Sequence, residues 1–158
     1  MSTLKFEELY TIELLKLEDY SKCSSIWDME KHKELADKFY QEILSSKRIT
    51  YIYKNSDEFI GEISLVKDMN DSDYTIPNQR VYVSHLVVKP EYRRQGVGKT
   101  LVEFATNKAE HHGYKEMSIG VDLDNYPALK LYVDCGFNKV IFIGEDEQGK
   151  YVKLLKTI

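Results

Sequence analysis

A single α/β domain built on a mixed β-sheet is the fold class the sequence predicts, and three observations predict it. The chain has 158 residues, a length that buries one good core and rarely two. From Arg80 to Lys89 nearly every residue is apolar or β-branched, as a central strand covered on both faces requires, and a helical stripe follows directly. From Lys115 to Leu123 the pattern alternates: Met117, Ile119, Val121 and Leu123 share one face, and Glu116, Ser118, Gly120 and Asp122 share the other.

The remaining elements follow in order. Glu13 to Leu17 reads as a short strand. Tyr20 to Met29 and Glu30 to Ser46 read as a helical pair, the second carrying Leu35, Phe39 and Ile43 at helical spacing. Ile49 to Tyr53 is β-branched and aromatic, and the turn Asn55-Ser56-Asp57 leads into Phe59 to Val66, the second arm of a hairpin. Lys67 to Gln79 is a polar loop, Arg80 to Lys89 the buried strand, and Pro90 its end. From Gly96 the stripe Val97, Leu101, Phe104, Ala105 and Ala109 marks a helix that closes at His111-His112-Gly113. After the alternating strand come a short helix, Asn125 to Cys135, closed by Gly136, and a last hairpin of Phe137 to Ile143 and Tyr151 to Leu155 across the turn Asp146 to Gly149. The order is therefore strand, two helices, three strands, helix, strand, helix, two strands, in one domain over residues 1–158. Glycines and prolines are expected at the element boundaries.

Composition narrows the function classes. A net charge of -4 offers no basic surface for nucleic acid or an anionic membrane. Met1 to Tyr10 carries Lys5, Glu7 and Glu8 and no apolar core of a leader segment. No stretch approaches the roughly 18 apolar residues of a membrane span, so a soluble, cytoplasmic chain is expected. Cys23 and Cys135 read as free thiols of a reducing compartment. His32, His111 and His112 lack ligand partners at suitable spacing, so no metal is expected.

The stretch from Val87 to Thr100 (Val-Val-Lys-Pro-Glu-Tyr-Arg-Arg-Gln-Gly-Val-Gly-Lys-Thr) runs from the buried strand through a basic turn into a helix start. Glycines permit close backbone approach, unpaired amides point outward, and the helix dipole favours negative charge. Arg93, Arg94 and Lys99 add positive charge, so a phosphate or pyrophosphate is the expected guest. Gly98-Lys99-Thr100 resembles the end of a P-loop, but the glycine that motif needs at position 93 is Arg93. The three spaced glycines of a dinucleotide fingerprint are absent too.

Arg93-x-x-Gly96-x-Gly98, after a strand ending Val-Val-x-Pro, resembles the acyl-CoA signature of the GNAT superfamily of N-acetyltransferases. A second block resembles the family's next segment: Asn125, then a helix containing Leu131-Tyr132 and ending in Gly136-Phe137. The resemblance covers roughly Phe59 to Ile143. It implies a GNAT-like fold, with about seven strands, a splay between the two central parallel strands and about four helices. It also implies acetyl transfer from acetyl-CoA to a primary amine by direct attack, without a metal. The amides of Arg94, Gln95, Gly96, Val97, Gly98 and Lys99 would hold the CoA pyrophosphate, with Arg93 at the start of the cradle. Leu86, Val87 and Val88 would line the pantetheine arm, with the Leu86 amide as a one-donor oxyanion site. Asn125 would hydrogen-bond the arm, and Tyr132 would assist the leaving thiolate.

The base is left open. Tyr82 and Ser84 occupy the strand positions where some family members carry Glu or His, and strand alternation points His85 to the opposite face, as a packed or helix-facing residue. Glu62 and Asp122 are the remaining carboxylates for binding or deprotonating the ammonium; a solvated strand residue or a salt-bridge partner is the plain alternative for each, and direct attack with proton loss to bulk water also fits the resemblance. Cys135 reads as a small buried helix residue. A non-catalytic CoA-binding regulator is the competing function. The first two helices and the Lys67 to Gln79 loop would set the acceptor; polyamine, aminoglycoside, amino acid and protein N-terminus or lysine are all open, and a groove of tyrosines and carboxylates would favour a small cationic amine. The resemblance also admits a homodimer through the C-terminal strands.

Overall fold

The structure, a computed structural model, describes residues 10–158; of the N-terminal stretch Met1 to Tyr10, only Tyr10 is among them. Seven strands are present: β1 (Tyr10–Leu14), β2 (Arg48–Asn55), β3 (Glu58–Val66), β4 (Arg80–Val88), β5 (Glu116–Asp122), β6 (Lys139–Asp146) and β7 (Gly149–Thr157). They form one mixed sheet in the order β1-β2-β3-β4-β5-β7-β6. β4 and β5 are its parallel pair, with Arg80–Tyr82 opposite Glu116–Ser118. The described helices are α1 (Lys33–Leu44), α2 (Val97–His111), α3 (Tyr126–Asp134) and a 3-10 helix at Leu17–Ser25, with a further 3-10 turn at Pro90–Tyr92.

The clearest departures from the sequence reading lie at β1 and in the helix that follows it. β1 lies at Tyr10–Leu14, not Glu13 to Leu17, because its antiparallel register with Asn55 to Tyr51 ends at Leu14. The chain then leaves the edge and Leu17 opens a helix. That helix is 3-10, not α, and stops at Ser25. It is rich in serines, whose hydroxyls compete for backbone groups, as Ser25 Oγ does by donating to Lys22 O at 3.0 Å. Three glycines, Gly61, Gly120 and Gly144, also sit in mid-strand, each closed in by its neighbours. A Cβ on Gly61 would meet Val87 O at 3.1 Å, and one on Gly120 would meet the Tyr74 hydroxyl at 2.5 Å.

The chain divides into two compact units, one ending at Ser64 and resuming over His85–Leu101, the other formed by Leu65–Ser84 and Val102–Ile158. In the first, Leu15, Cys23, Ile26, Ile52 and Phe59 are buried together, with Tyr20, Trp27, Met29, Ile43 and Val87 packed around them. Burying each large apolar side chain stabilises the fold by roughly 1.5–3 kcal/mol.

In the second unit Val81, Val83, Val102, Ala105, Met117 and Phe137 are buried. The polar face of β5 is covered rather than solvated. Tyr74, from the 67–79 loop, lies against Gly120, and Ser118, fully buried, donates its hydroxyl to Tyr74 O at 2.5 Å. The loop is tied down by Lys153 of β7, whose Nζ donates to Asp71 Oδ2 at 2.9 Å and Asp73 Oδ2 at 3.1 Å. The same ammonium stands 4.7 Å from the Tyr74 ring centre.

The Lys153 hydrogen bond holds Asp71 below its usual range. Burial, the largest single influence, pulls the Lys153 ammonium down, but its bonds and charge contacts with Asp71 and Asp73 outweigh it and leave it raised. The depressed carboxylate stabilises the fold above the ordinary carboxylate range and loses that contribution as pH falls through its folded value. The raised ammonium contributes below about pH 10 and loses it only as pH rises further. The anchor is therefore intact from about pH 5 to about pH 10. Lys153→Met should cost about 1–3 kcal/mol, since Asp71 and Asp73 keep 35% and 42% of their side-chain surface and can rehydrate. Hydrogen exchange should quicken at residues 71–76, and an unchanged exchange pattern there would refute the anchor.

Candidate active site

The turn between β4 and α2 is built by backbone hand. Lys89 N donates to Ile60 O at 2.9 Å, the last tie to β3. The 3-10 turn follows, and Arg93 Nε reaches back to Val88 O at 3.0 Å. Arg94 (φ 62°) and Gly96 (φ 82°) are both left-handed. This reversal brings successive amides toward one side, the arrangement of an anion-binding concavity. Glycine suits position 96 for its φ alone, since a Cβ there would meet nothing within 4 Å. The Thr100 amide bonds Gly96 O at 3.0 Å, so the amides of Val97 and Gly98 precede that bond and have no partner within the helix. Val97 is buried and roots the helix; Arg93, Arg94, Gln95 and Lys99 are exposed. Three cations, outward amides and a helix dipole suit a pyrophosphate.

Other residues of this unit stand nearby in sequence and space. Leu86, Val87 and Val88 are half-buried at the end of β4. Glu62 is only 3% exposed, so the solvated alternative does not hold for it. Its Oε2 lies 3.2 Å from His85 Nδ1. Strand alternation missed this contact because His85 is left-handed (φ 56°) inside β4. A residue of that hand breaks the pleat, so the faces read from Tyr82 and Ser84 do not carry past it. Histidine enters that region more often than most non-glycine residues, but the residue type alone does not say which histidine does.

The second unit holds the remaining residues. Tyr132, on α3, is buried and stands edge-on to Phe137, ring centres 6.0 Å apart. Burial, then the neighbouring Tyr82 and Cys135, push its phenol up to about 12. Asn125 caps α3, its Oδ1 accepting from Ala128 N at 3.4 Å. Asp122 is exposed at the end of β5. Tyr82 also faces Tyr74, ring centres 4.6 Å apart. Cys135 is half-buried at the end of α3, rather than fully buried. Among the described residues no group of three metal-ligating side chains occurs.

The model of the acetyltransferase (GNAT) family matches residues 9–137. N-acetyltransferase family 8 member 3 of Rattus norvegicus is 27% identical over 108 residues, 68% of this chain and 46% of that protein. Human N-acetyltransferase 8 is 32% identical over 77 residues, 49% of this chain and 34% of that protein. The chain thus spans less than half the length of these relatives. In fold it is similar to an aminoglycoside 6'-acetyltransferase type Ii, with a TM-score of 0.76 at 18% identity, covering 93% of this chain and 96% of that one.

Arg94→Gly separates charge from backbone in the turn, because glycine accepts the left-handed φ. Stability should change by less than about 1 kcal/mol, while calorimetric affinity for inorganic pyrophosphate falls several-fold. Equal affinities for the two proteins would remove Arg94 from the cradle. Gly96→Val should instead cost about 1–2 kcal/mol of stability through the forced left-handed backbone.

Proposed function

Because the chain belongs to the GNAT acetyltransferase family, we propose that it moves the acetyl group of acetyl-CoA to a primary amine by direct attack in a ternary complex. The whole of residues 1–158 would serve as one cytoplasmic N-acetyltransferase domain. Among the described residues no helix is long and apolar enough to cross a membrane. The observation that carries the reading is the turn from β4 into α2, where left-handed Arg94 and Gly96 turn the backbone amides outward beside three cations.

Acetyl-CoA supplies an activated thioester. In this reading the Arg94 to Lys99 amides hold its pyrophosphate, with Arg93, Arg94 and Lys99 balancing the charge. Leu86, Val87, Val88 and Asn125 hold the pantetheine arm, and the Leu86 amide steadies the oxygen that gains charge as the amine attacks. Tyr132, pushed up to about 12, keeps its proton at neutral pH and is a standing O–H donor for the leaving sulfur. Asp122 from an exposed position, and Glu62 from a buried one, are the carboxylates proposed to act on the ammonium.

A groove of about 860 Å³ between the 3-10 helix and α1 supports a small cationic amine as acceptor. Glu18, Glu30 and Asp37 line it against a single cation, Lys33, and Tyr20 and Tyr40 stand there with ring centres 5.6 Å apart. Carboxylates and aromatic faces both favour a cation. Exposed Val140 and Ile143 on β6 support a homodimer through the C-terminal strands. A CoA-binding regulator without turnover is the second reading, favoured by Tyr82 and Ser84 at the strand positions where a base would stand.

Isothermal titration with acetyl-CoA and with ATP is the first test. Saturable binding of acetyl-CoA but not ATP, lost in Arg94→Glu, is expected; no binding of acetyl-CoA overturns the reading. Thiol release with spermidine or kanamycin then separates enzyme from regulator. Tyr132→Phe should lower kcat about 100-fold with acetyl-CoA affinity unchanged within about twofold. Because the phenol stays protonated to about 12, no alkaline fall of kcat between pH 8 and pH 10 should trace to Tyr132.

A further inference from the structure

Glu62 and His85 form a couple whose chemistry the cradle does not use. The Glu62 side chain retains 4% of its surface and the His85 ring 16%, so the carboxylate is sealed in while an edge of the imidazole stays reachable. Glu62 Oε2 faces His85 Nδ1 at 3.2 Å, and the Cys23 thiol is a second hydrogen-bonding neighbour of the carboxylate. Two aromatic edges fix the ring: Trp27 at 4.5 Å and 68°, and Phe39 at 5.1 Å and 66° between ring centres and planes. Phe39 is itself pinned by the Arg48 guanidinium, 3.6 Å above its ring. The left-handed backbone at His85, uncommon for any residue but glycine, is strain held by this packing, and such strain concentrates at functional positions.

A carboxylate on one ring nitrogen dictates the tautomer: the proton sits on Nδ1, and the Nε2 lone pair is left open. Nε2 has no hydrogen-bond partner among the described residues. Resting on the acetyltransferase reading above, we propose that His85 is the general base for the acceptor amine and that Glu62 is its positioning residue. The acceptor's ammonium gives one proton to His85 Nε2, and the freed nitrogen lone pair forms the new bond to the acetyl carbon as the carbon–sulfur bond breaks; the sulfur leaves as CoA thiol with the Tyr132 phenol proton, and the second proton of the nitrogen restores that phenol. The imidazolium so formed faces Glu62 across the 3.2 Å contact and returns its proton to water once the product leaves.

Neighbouring titratable groups do not imitate this step. Burial, and then the Glu62 charge, raise both the Cys23 thiol and the Tyr20 phenol, so each stays protonated through neutral pH. Arg48 from β2 stays cationic, and the carboxylates of Asp19 and Asp37 act on Cys23 and Tyr20 respectively.

His85→Gly is the informative variant, because glycine accepts the left-handed backbone and leaves an imidazole-sized gap between Trp27 and Phe39. With the full chain, acetyl-CoA and spermidine or kanamycin, kcat/KM at pH 7 should fall about 100-fold. Added imidazole should restore part of it, and the deficit should shrink toward pH 10 as the amine loses its proton in solution. Acetyl-CoA affinity should stay within about twofold of wild type. Long-range proton–nitrogen NMR should find the Nδ1–H tautomer at His85 in the wild type and its loss in Glu62→Gln. A variant within threefold of wild type, a deficit unmoved by imidazole and pH, or an Nε2–H tautomer in the wild type overturns the proposal. A wild type that binds no acetyl-CoA overturns the acetyltransferase reading itself, and titration separates that failure from the others.

Discussion

Backbone hand between β4 and α2 is the constraint on which the rest of the site depends. Three residues within twelve, His85, Arg94 and Gly96, are left-handed, and only one of them is glycine. The last two bring the amides of the turn toward one side. The first interrupts the pleat of β4 and brings an imidazole onto Glu62. Each non-glycine case costs of order 1–2 kcal/mol relative to a right-handed residue, so neighbouring packing must hold it. At His85 that packing is visible in Trp27 and Phe39.

The buried polar groups of the same unit follow a consistent pattern. Arg48 is 4% exposed, bonds Glu42 Oε1 through Nε at 3.0 Å and stacks on Phe39. Thr50 and Ser64 share a hydroxyl hydrogen bond of 2.7 Å. Glu62, almost fully buried, has His85 and the Cys23 thiol beside it. Burying a carboxylate without such partners is destabilising.

In the second unit the Lys67 to Gln79 loop is not merely a polar connection. Lys153, Asp71 and Asp73 hold it, and Tyr74 covers the small residues of β5. Gly120 is small because Tyr74 needs its space, which explains a glycine inside a strand. Tyr82 touches Tyr74, and its charged form would raise both the Tyr74 and Tyr132 phenols, so the tyrosines of this unit are electrostatically linked.

By itself the sequence determined the element order, the β4–turn–α2 segment and the helix with Tyr132. These are written in local periodicity and in the glycines and cations of one continuous segment. Its errors were local ones: the edge of β1, set by pairing with β2, and the 3-10 character of Leu17–Ser25, set by serines competing for backbone groups. Only the tertiary structure decided that Glu62 is buried and faces His85, twenty-three positions away. Alternation assumes an unbroken pleat, and the reversal of hand at His85 is imposed by packing against Trp27 and Phe39 rather than by the residue's own preference. The grip of Lys153 on Asp71, eighty-two positions away, was likewise beyond reach. Charge pairing at that separation depends on how the sheet brings β7 to the loop, which no local pattern encodes.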